Sequence, residues 1–147
     1  MRRFEKCKTA TENTRLSQRS TEQAAGYDFY SPVSVTIGPH QWGMVRTHVK
    51  AQMAADDVLL IFPRSSMGIK KHMMLSNTVG VIDSDYYNNP ENEGNIIIAI
   101  YNYGDREQHI SVGDKIAQGI FLKFGITADD FTAAKEERRG GIGSTGI

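Results

Sequence analysis

The feature that most constrains the fold is the alternation of short β-branched or aromatic segments with glycine, proline and asparagine, in a chain with almost no long helical periodicity. Short segments bounded by turn residues are typical of strands in all-β domains. The predicted strands are residues 4–9, 33–37, 44–50, 58–62, 79–82, 96–103, 107–112 and 115–124. About eight such strands favour an all-β fold, a jelly-roll-like sandwich or barrel.

The segment from Asn95 to Tyr101 is apolar on both of its alternating faces. A strand of this kind is covered on both sides, so we expect it in the core or at a subunit interface. Two short helices are predicted. One spans residues 65–71, where no proline interrupts the segment. The other spans residues 129–137, where an acid stands three residues after a candidate cap at Thr127.

Length and charge limit the classes of function. The chain has 147 residues, the size of one domain. Its 17 Lys and Arg balance 17 Asp and Glu, without the basic excess typical of nucleic-acid-binding proteins. Cys7 is the only cysteine, which favours a reducing compartment, and the longest apolar runs are too short to cross a bilayer. We predict a cytoplasmic protein that binds neither nucleic acid nor membrane.

The composition changes at the C-terminal end. Glu136-Glu137-Arg138-Arg139 leads into the glycine-rich residues 140–146. Glycine loses more chain entropy on ordering than any other residue, so such a segment is predicted to be mobile. We therefore divide the chain into a β domain, residues 1–137, and a mobile tail, residues 138–147. The tail matches GxGxxG, but a dinucleotide site needs a helix after this motif, and the chain ends one residue later.

Five short segments carry more polar chemistry than connecting segments need. They are Ala25-Gly26-Tyr27-Asp28-Phe29, Pro63-Arg64-Ser65-Ser66-Met67-Gly68, residues 77–86, Gly113-Asp114-Lys115-Ile116-Ala117-Gln118 and residues 140–146. In this order and spacing they resemble the five motifs of the trimeric dUTP pyrophosphatase (dUTPase) family, from about residue 24 to the C-terminus. The resemblance implies a jelly-roll fold and hydrolysis of dUTP to dUMP and pyrophosphate, which limits uracil in DNA and supplies dUMP for dTMP synthesis.

Pro63-Arg64-Ser65-Ser66 follows a predicted strand and offers a guanidinium, two hydroxyls and the free N–H groups of a turn. These groups suit phosphate binding. The alternative is a capped helix start with a surface arginine. The resemblance implies that Arg64, Ser65 and Ser66 hold triphosphate oxygens, although Ser66 replaces the glycine usual in the family.

Asp83 stands at the exit of a predicted strand, where a carboxylate that is not permanently paired can accept a proton from water. Without further evidence, Asp83 is equally well explained as a residue that only terminates the strand. The resemblance implies that Asp83 orients the attacking water as general base. It also implies that Tyr86 packs on the deoxyribose and rejects a 2′-OH, and that Asn77 reads the uracil with its amide.

Gln118 is polar within an apolar segment, and the default explanation is the solvated face of a strand. The resemblance implies instead that Gln118 contacts the α-phosphate and that Asp28 supports Arg64 and the water shell of a metal ion. That ion is Mg²⁺, held by substrate phosphates and water rather than by protein ligands. The family also implies a homotrimer with shared active sites.

The tail resembles the family's lid, which closes over substrate bound at a neighbouring subunit. Gly143, Ser144 and Thr145 would supply N–H groups and hydroxyls to phosphate, and Arg138, or alternatively Arg139, charge to the terminal phosphate. Ile142 stands where the family usually has Phe, so it can shield the uracil but cannot stack on it.

Three alternatives remain open at this point. A dCTP deaminase shares the fold but needs a glutamate where Ala99 stands. A nucleotide-sensing interaction protein would use the residues 88–93, which many family members lack; this insertion is predicted to be an exposed loop with either a partner-binding role or none. A purely structural jelly roll would leave the polar motifs without a role.

Overall fold

The computed structural model describes residues 1–146. Within them the chain forms eleven β-strands and one α-helix. The strands are β1 Arg3–Lys6, β2 Tyr27–Tyr30, β3 Val35–Ile37, β4 Trp42–Arg46, β5 Val49–Gln52, β6 Asp57–Phe62, β7 Met73–Leu75, β8 Gly80–Asp83, β9 Ile97–Asn102, β10 Gln108–Ile110 and β11 Lys115–Lys123, and the helix is α1 Ser65–Lys71. Short 3-10 turns occur at Ser84–Tyr86 and Asp130–Thr132. The predicted all-β class is confirmed.

Antiparallel sheets enclose the core. A four-stranded sheet has the order β2-β11-β6-β8, a three-stranded sheet has the order β4-β9-β7, and the pairs β1-β5 and β10-β3 complete the described part of the chain. Alternate side chains point inward, as a half-buried strand requires. The core contains Phe29, Leu59, Ile61, Ile98 and Ile100, each at most 2% exposed. None of the helices in residues 1–146 has the length and apolar character needed to cross a membrane.

Three strands differ from the sequence prediction. Residues 44–50 do not form one strand, because the chain turns at His48, which has a φ of 57°, between β4 and β5. Strands β2 and β7 were not predicted; β2 carries the charged Asp28 and β7 contains no β-branched residue. The helix at 65–71 is confirmed.

The predicted helix at 129–137 is wrong. The structure has only the 3-10 turn Asp130–Thr132 there. The segment from 125 to 137 is exposed apart from Asp130, so its apolar side chains, Ile126 and Phe131, have no surface to pack against. Short isolated helices are marginal without tertiary packing, which accounts for the difference.

One face of the three-stranded sheet points away from the core and remains apolar. Ile98 and Ile100 of β9 are buried, as predicted for this strand, while Ile97, Ala99 and Tyr101 on its other face are half-buried. Beside them Trp42 is 60% and Met44 39% exposed. We call this surface, made of Trp42, Met44, Ile97, Ala99 and Tyr101, the outer apolar face.

Candidate active site

Arg64 lies between the end of β6 and the start of α1 and is fixed by Asp28 of β2. The Nη1 of Arg64 donates to Oδ1 of Asp28 at 3.0 Å. Lys115 Nζ lies 3.1 Å from the other carboxylate oxygen, and Ser20 Oγ donates to it at 2.5 Å. Burial alone would raise the pKa of Asp28, but the hydrogen bonds from Ser20 and Lys115 and the charge of Arg64 outweigh it and lower the pKa. Asp28 is therefore an anionic support for Arg64.

Gln118 lies at the same end of the sheet. On β11 it stands opposite Asp28 of β2 and Phe62 of β6, and its Nε2 donates to the carbonyl of Pro63 at 3.3 Å. Gly26 leaves room for this side chain, because a β-carbon there would lie 2.5 Å from the Gln118 Oε1. We call Asp28, Arg64, Ser65, Ser66 and Gln118 the arginine cluster.

The hydroxyls of Ser65 and Ser66 are exposed at the first turn of α1. The residue at the N-cap is Arg64, which makes no side-chain cap hydrogen bond. The alternative explanation of the segment, a capped helix start with a free surface arginine, is therefore not what the structure shows.

A second group of polar residues lies on β8, on the turn that joins it to β7, and just after β8. We call residues 76–86 the β8 segment; β7 and β8 themselves belong to different sheets. Asn77 is exposed in the turn, where Thr78 adopts a φ of 63°. Asp83 is the last residue of β8, and its carboxylate is 49% exposed. Together with Tyr86 these residues line one side of a groove of about 750 Å³. The outer apolar face lines the other side.

Tyr86 is fixed at its hydroxyl. The phenol is 8% exposed, donates to the carbonyl of Asn95 at 2.6 Å and accepts from Nδ2 of Asn92 at 2.8 Å. Burial raises the pKa of Tyr86, so the phenol stays neutral and its ring has one orientation.

Asp83 and the arginine cluster are separated within one chain, whereas the Asn77 end of β8 lies toward Arg64, because Gly80 pairs with Ile61 of β6. Asp83 pairs with Val58 of β6, whereas Gln118 pairs with Phe62. Four residues of extended strand span about 13 Å, and Arg64 lies beyond Phe62 in the same direction. The structure of one chain therefore does not bring Asp83 and Arg64 together.

The tail reaches the β8 segment of its own chain. The guanidinium of Arg138 donates from Nη2 to Asp83 Oδ2 at 2.5 Å and from Nε to Asp85 Oδ1 at 2.6 Å. Gly141 packs against the ring of Tyr86. Of the two candidate arginines, Arg138 lines the groove, whereas Arg139 is exposed.

The other tail residues form a tight turn. Ser144 Oγ donates to the carbonyl of Gly140 at 2.8 Å, and Gly143 has a φ of 75°. Ile142 lies at the groove but is 82% exposed, and Thr145 is exposed. Ile147, the last residue of the predicted tail, lies outside the described residues.

Sequence reasoning missed several residues that the structure brings into the site. Asp85 binds Arg138, Lys115 binds Asp28, and Glu91 and Asn92 of the insertion contact the tail and Tyr86. The pair of acids at 83 and 85 was a visible signal for a cationic partner. The role of the insertion had no such signal, because it depends on a contact across fifty residues.

Comparison with known proteins identifies the family. A family model described as dUTPase matches residues 12–146. The chain belongs to the dUTPase family. The predicted resemblance is thereby confirmed, and the five motifs all lie within the matched region.

Relatives of this dUTPase chain cover most of its length. A deoxyuridine 5'-triphosphate nucleotidohydrolase of Lactococcus lactis is 44% identical over 131 residues, 89% of this chain and 87% of the relative. The crystal structure of dUTPase from Streptococcus mutans has a TM-score of 0.80 and 40% identity, and the match covers 85% of this chain and 98% of that chain. The predicted jelly-roll fold is confirmed by this neighbour.

A more distant dUTPase neighbour comes from a phage of S. aureus, in a structure that shows the coordination of a structural Mg(II) ion. It has a TM-score of 0.72 and 22% identity, with 86% of this chain and 93% of that chain covered. This likeness shows the fold alone.

Proposed function

We propose that this protein hydrolyses dUTP to dUMP and pyrophosphate by attack of a water molecule, oriented by Asp83, on the α-phosphorus. Membership of the dUTPase family supports the activity. The observation that carries the mechanism is the position of Asp83: its carboxylate ends β8 at the groove, half-exposed, and its ion-pair partner in the described chain is a residue of the tail. A carboxylate paired in this way can exchange its partner.

The reaction starts with that exchange. The terminal phosphate of dUTP attracts the guanidinium of Arg138 and leaves Asp83 free to accept a hydrogen bond from water. As the water oxygen bonds to the α-phosphorus, its proton passes to the Asp83 carboxylate. The bond between the α-phosphorus and the bridging oxygen breaks, and its electron pair leaves with pyrophosphate.

Substrate recognition follows from the two groups of residues. Asn77 pairs with the uracil, and the rigid ring of Tyr86 lies against the deoxyribose, where a 2′-OH has no room. Arg64, Ser65 and Ser66 bind triphosphate oxygens and Gln118 the α-phosphate, with Asp28 holding Arg64 in place. A site that hydrogen-bonds its base rejects a mismatched base strongly, because buried polar groups would lose their partners.

We propose a homotrimer in which each active site combines residues of different subunits. Asp83 and the arginine cluster lie at opposite ends of β6, so one triphosphate meets both only if a second chain supplies one of them. The outer apolar face, with Trp42 60% exposed, supports contact with another copy.

We propose that the tail, residues 138–147, acts as the lid of this site. Arg138 supplies charge to the terminal phosphate, Ile142 shields the base, and Gly143, Ser144 and Thr145 surround the phosphates. In the trimer the tail closes on the β8 segment of a neighbouring subunit. The docked position seen on the β8 segment of its own chain supports this proposal, because every subunit of a symmetric trimer offers the same contacts.

The donor set fits a magnesium ion that enters with the nucleotide. The carboxylates around the site are Asp28, Asp83 and Asp85, and each is bonded to a cationic side chain. Bound to the phosphates, Mg²⁺ would offset the charge that builds on the pyrophosphate. The S. aureus phage enzyme with its structural Mg(II) ion shows only that a protein of this fold can bind magnesium. Cytoplasmic localisation stays a prediction.

The decisive experiment compares dUTP, dCTP, dTTP and UTP side by side, with and without magnesium. We expect pyrophosphate release from dUTP alone, and a much lower rate after magnesium is chelated. Ammonia release from dCTP would indicate a deaminase instead, and equal rates with UTP would contradict the role of Tyr86.

Removing residues 138–147 tests the lid. A chain that ends at Glu137 is expected to keep its fold and lose most of its turnover, because Arg138 and the phosphate-binding backbone are gone. Circular dichroism checks the fold, and pyrophosphate release checks the activity. Normal turnover of the truncated chain would contradict the role of the tail.

A further inference from the structure

We propose that Glu91, in the inserted loop of residues 88–93, is a positioning residue that docks the tail. The proposal rests on the lid function proposed above and assigns a role to the insertion, which the sequence predicts to be an exposed loop with either a partner-binding role or none.

The inserted loop is internally ordered around a buried asparagine. Asn89 is 5% exposed. Its Nδ2 donates to the carbonyl of Tyr86 and to Oδ1 of Asn92, both at 2.8 Å. Its Oδ1 accepts from the backbone N–H groups of Glu91 and Asn92, both at 3.0 Å. The prediction of an exposed loop is therefore wrong for Asn89. Its hydrogen bond to the N–H of Glu91 fixes the backbone of Glu91.

The two ends of the loop are also attached to the β domain. Lys50 of β5 is largely buried, and its Nζ donates to Oδ1 of Asn88 and to Oε1 of Glu93, both at 2.6 Å. The carboxylate of Glu93 further accepts from the N–H of Lys8 at 2.9 Å. A loop held at both ends and in its middle is a rigid support.

Glu91 contacts the tail through its backbone and its side chain. Its N–H donates to the carbonyl of Arg139 at 3.1 Å, and its Oε2 accepts from the N–H of Gly141 at 3.3 Å. Between these bonds Gly140 is buried, and a β-carbon there would overlap the Glu91 carboxylate. The tail therefore crosses Glu91 at the one point where a glycine allows close approach.

This contact lies next to the residues that act on substrate. Arg138, two residues before Gly140, reaches Asp83 and Asp85, and Gly141 packs on the ring of Tyr86. Fixing Gly140 and Gly141 thus determines where Arg138 and Ile142 stand over the groove. Glu91 acts through the tail backbone and is not a catalytic residue.

Limited digestion with trypsin tests the contact between Glu91 and the tail without measuring turnover. Cleavage after Arg138 or Arg139 requires the tail to leave the loop, and its rate follows the population of the open state when opening is fast. We compare the wild-type chain with Glu91→Ala and with Glu91→Gln, which keeps an amide oxygen to accept from Gly141. The matched control is Glu12→Ala, which removes the same charge from an exposed site.

We expect trypsin to remove the tail of Glu91→Ala about fivefold faster than the tail of wild type, because this variant lacks one hydrogen bond that holds the tail. Glu91→Gln and Glu12→Ala are expected to match wild type. In steady-state kinetics Glu91→Ala should raise KM for dUTP, with Gln restoring it, a pattern that general unfolding of the loop would not give. Intact-mass spectrometry follows the digestion.

Equal cleavage of Glu91→Ala and Glu12→Ala would overturn the proposal. That outcome is separate from failure of the lid. In one such outcome the truncated chain that ends at Glu137 loses activity while trypsin digests Glu91→Ala at the wild-type rate. That result would support the lid function of the tail and contradict the positioning role of Glu91. Normal activity of the truncated chain would reject the lid, while faster digestion of Glu91→Ala would still establish the contact.

Discussion

The ion pair between Asp83 and Arg138 changes the interpretation of the role of Asp83. Its place at the end of β8 is what the sequence predicted. The two acids at 83 and 85 indicated a cationic partner, but the sequence did not identify Arg138 as the residue that bonds to both. A general base needs a free lone pair facing its water. The ion pair is therefore compatible with catalysis only because its cationic partner belongs to the tail.

We predict that Asp83→Asn separates binding from turnover. The amide is nearly isosteric with the carboxylate but cannot take the proton, so kcat should fall by about 10²–10⁴-fold. Binding of a non-hydrolysable dUTP analogue should stay within a few fold, measured by calorimetry. Because the variant also loses its charge toward Arg138, Asp85→Asn is the matched control and should retain most of its turnover. Near-normal kcat in Asp83→Asn would contradict the assignment of the base.

At the scale of elements, an ion-paired carboxylate links three strands. Asp57 begins β6 and is 2% exposed. It accepts from Arg2, next to β1, at 2.6 Å, from Lys123 of β11 at 3.0 Å and from the N–H of Ala54 at 3.1 Å. The hydrogen bond from Arg2, with those from Lys123 and Ala54, holds the pKa of Asp57 far below its ordinary range despite its burial.

This arrangement predicts acid sensitivity of the fold. Because the folded pKa is below the unfolded one, about 3.9, the unfolded state binds the proton first as the pH falls. The stabilisation is complete well above that value and is lost below it. Asp57→Asn should be less stable at pH 7 and should lose less stability between pH 7 and pH 3 than wild type. Urea unfolding at both pH values measures this, with the exposed Asp105→Asn as control.

The same scale shows what could be predicted from sequence. Most strands and helix α1 were predictable, because alternation and turn residues are local signals. The break at His48 depends on a left-handed φ, which residues other than glycine adopt only in a small minority of positions. Strand β7 takes its conformation from pairing with β9. The helix predicted at residues 129–137 is absent, because this segment has no surface to pack on. The family motifs pointed to the site residues themselves, whereas the contacts of Glu91 and Arg138 required the fold.

At the scale of the whole molecule, the separation of Asp83 from Arg64 by the length of β6 is the strongest argument for a shared site. Because Asp83 and the arginine cluster lie at opposite ends of β6, a complete site needs a second chain that supplies the missing group. In a cyclic trimer each interface would join Asp83 of one subunit to the arginine cluster of the next.

We predict that two inactive variants restore activity to each other. Asp83→Asn and Arg64→Ala should each have little turnover as pure trimers. After joint refolding of equal amounts, every mixed trimer contains one interface with both residues intact, so random assembly should regain about a quarter of the wild-type rate. Native mass spectrometry confirms the mixing. No recovery in mixed trimers would show that each site lies within one chain.

The bond from Arg138 to both aspartates also bears on what happens after the chemical step. In the proposed mechanism a nucleoside monophosphate has lost the distant negative charges that attract the guanidinium, so the arginine would return to the two carboxylates as pyrophosphate departs. The same competition that admits a long polyphosphate would then expel the short product. Turnover would be limited to nucleotides with a chain of phosphates long enough to reach the arginine.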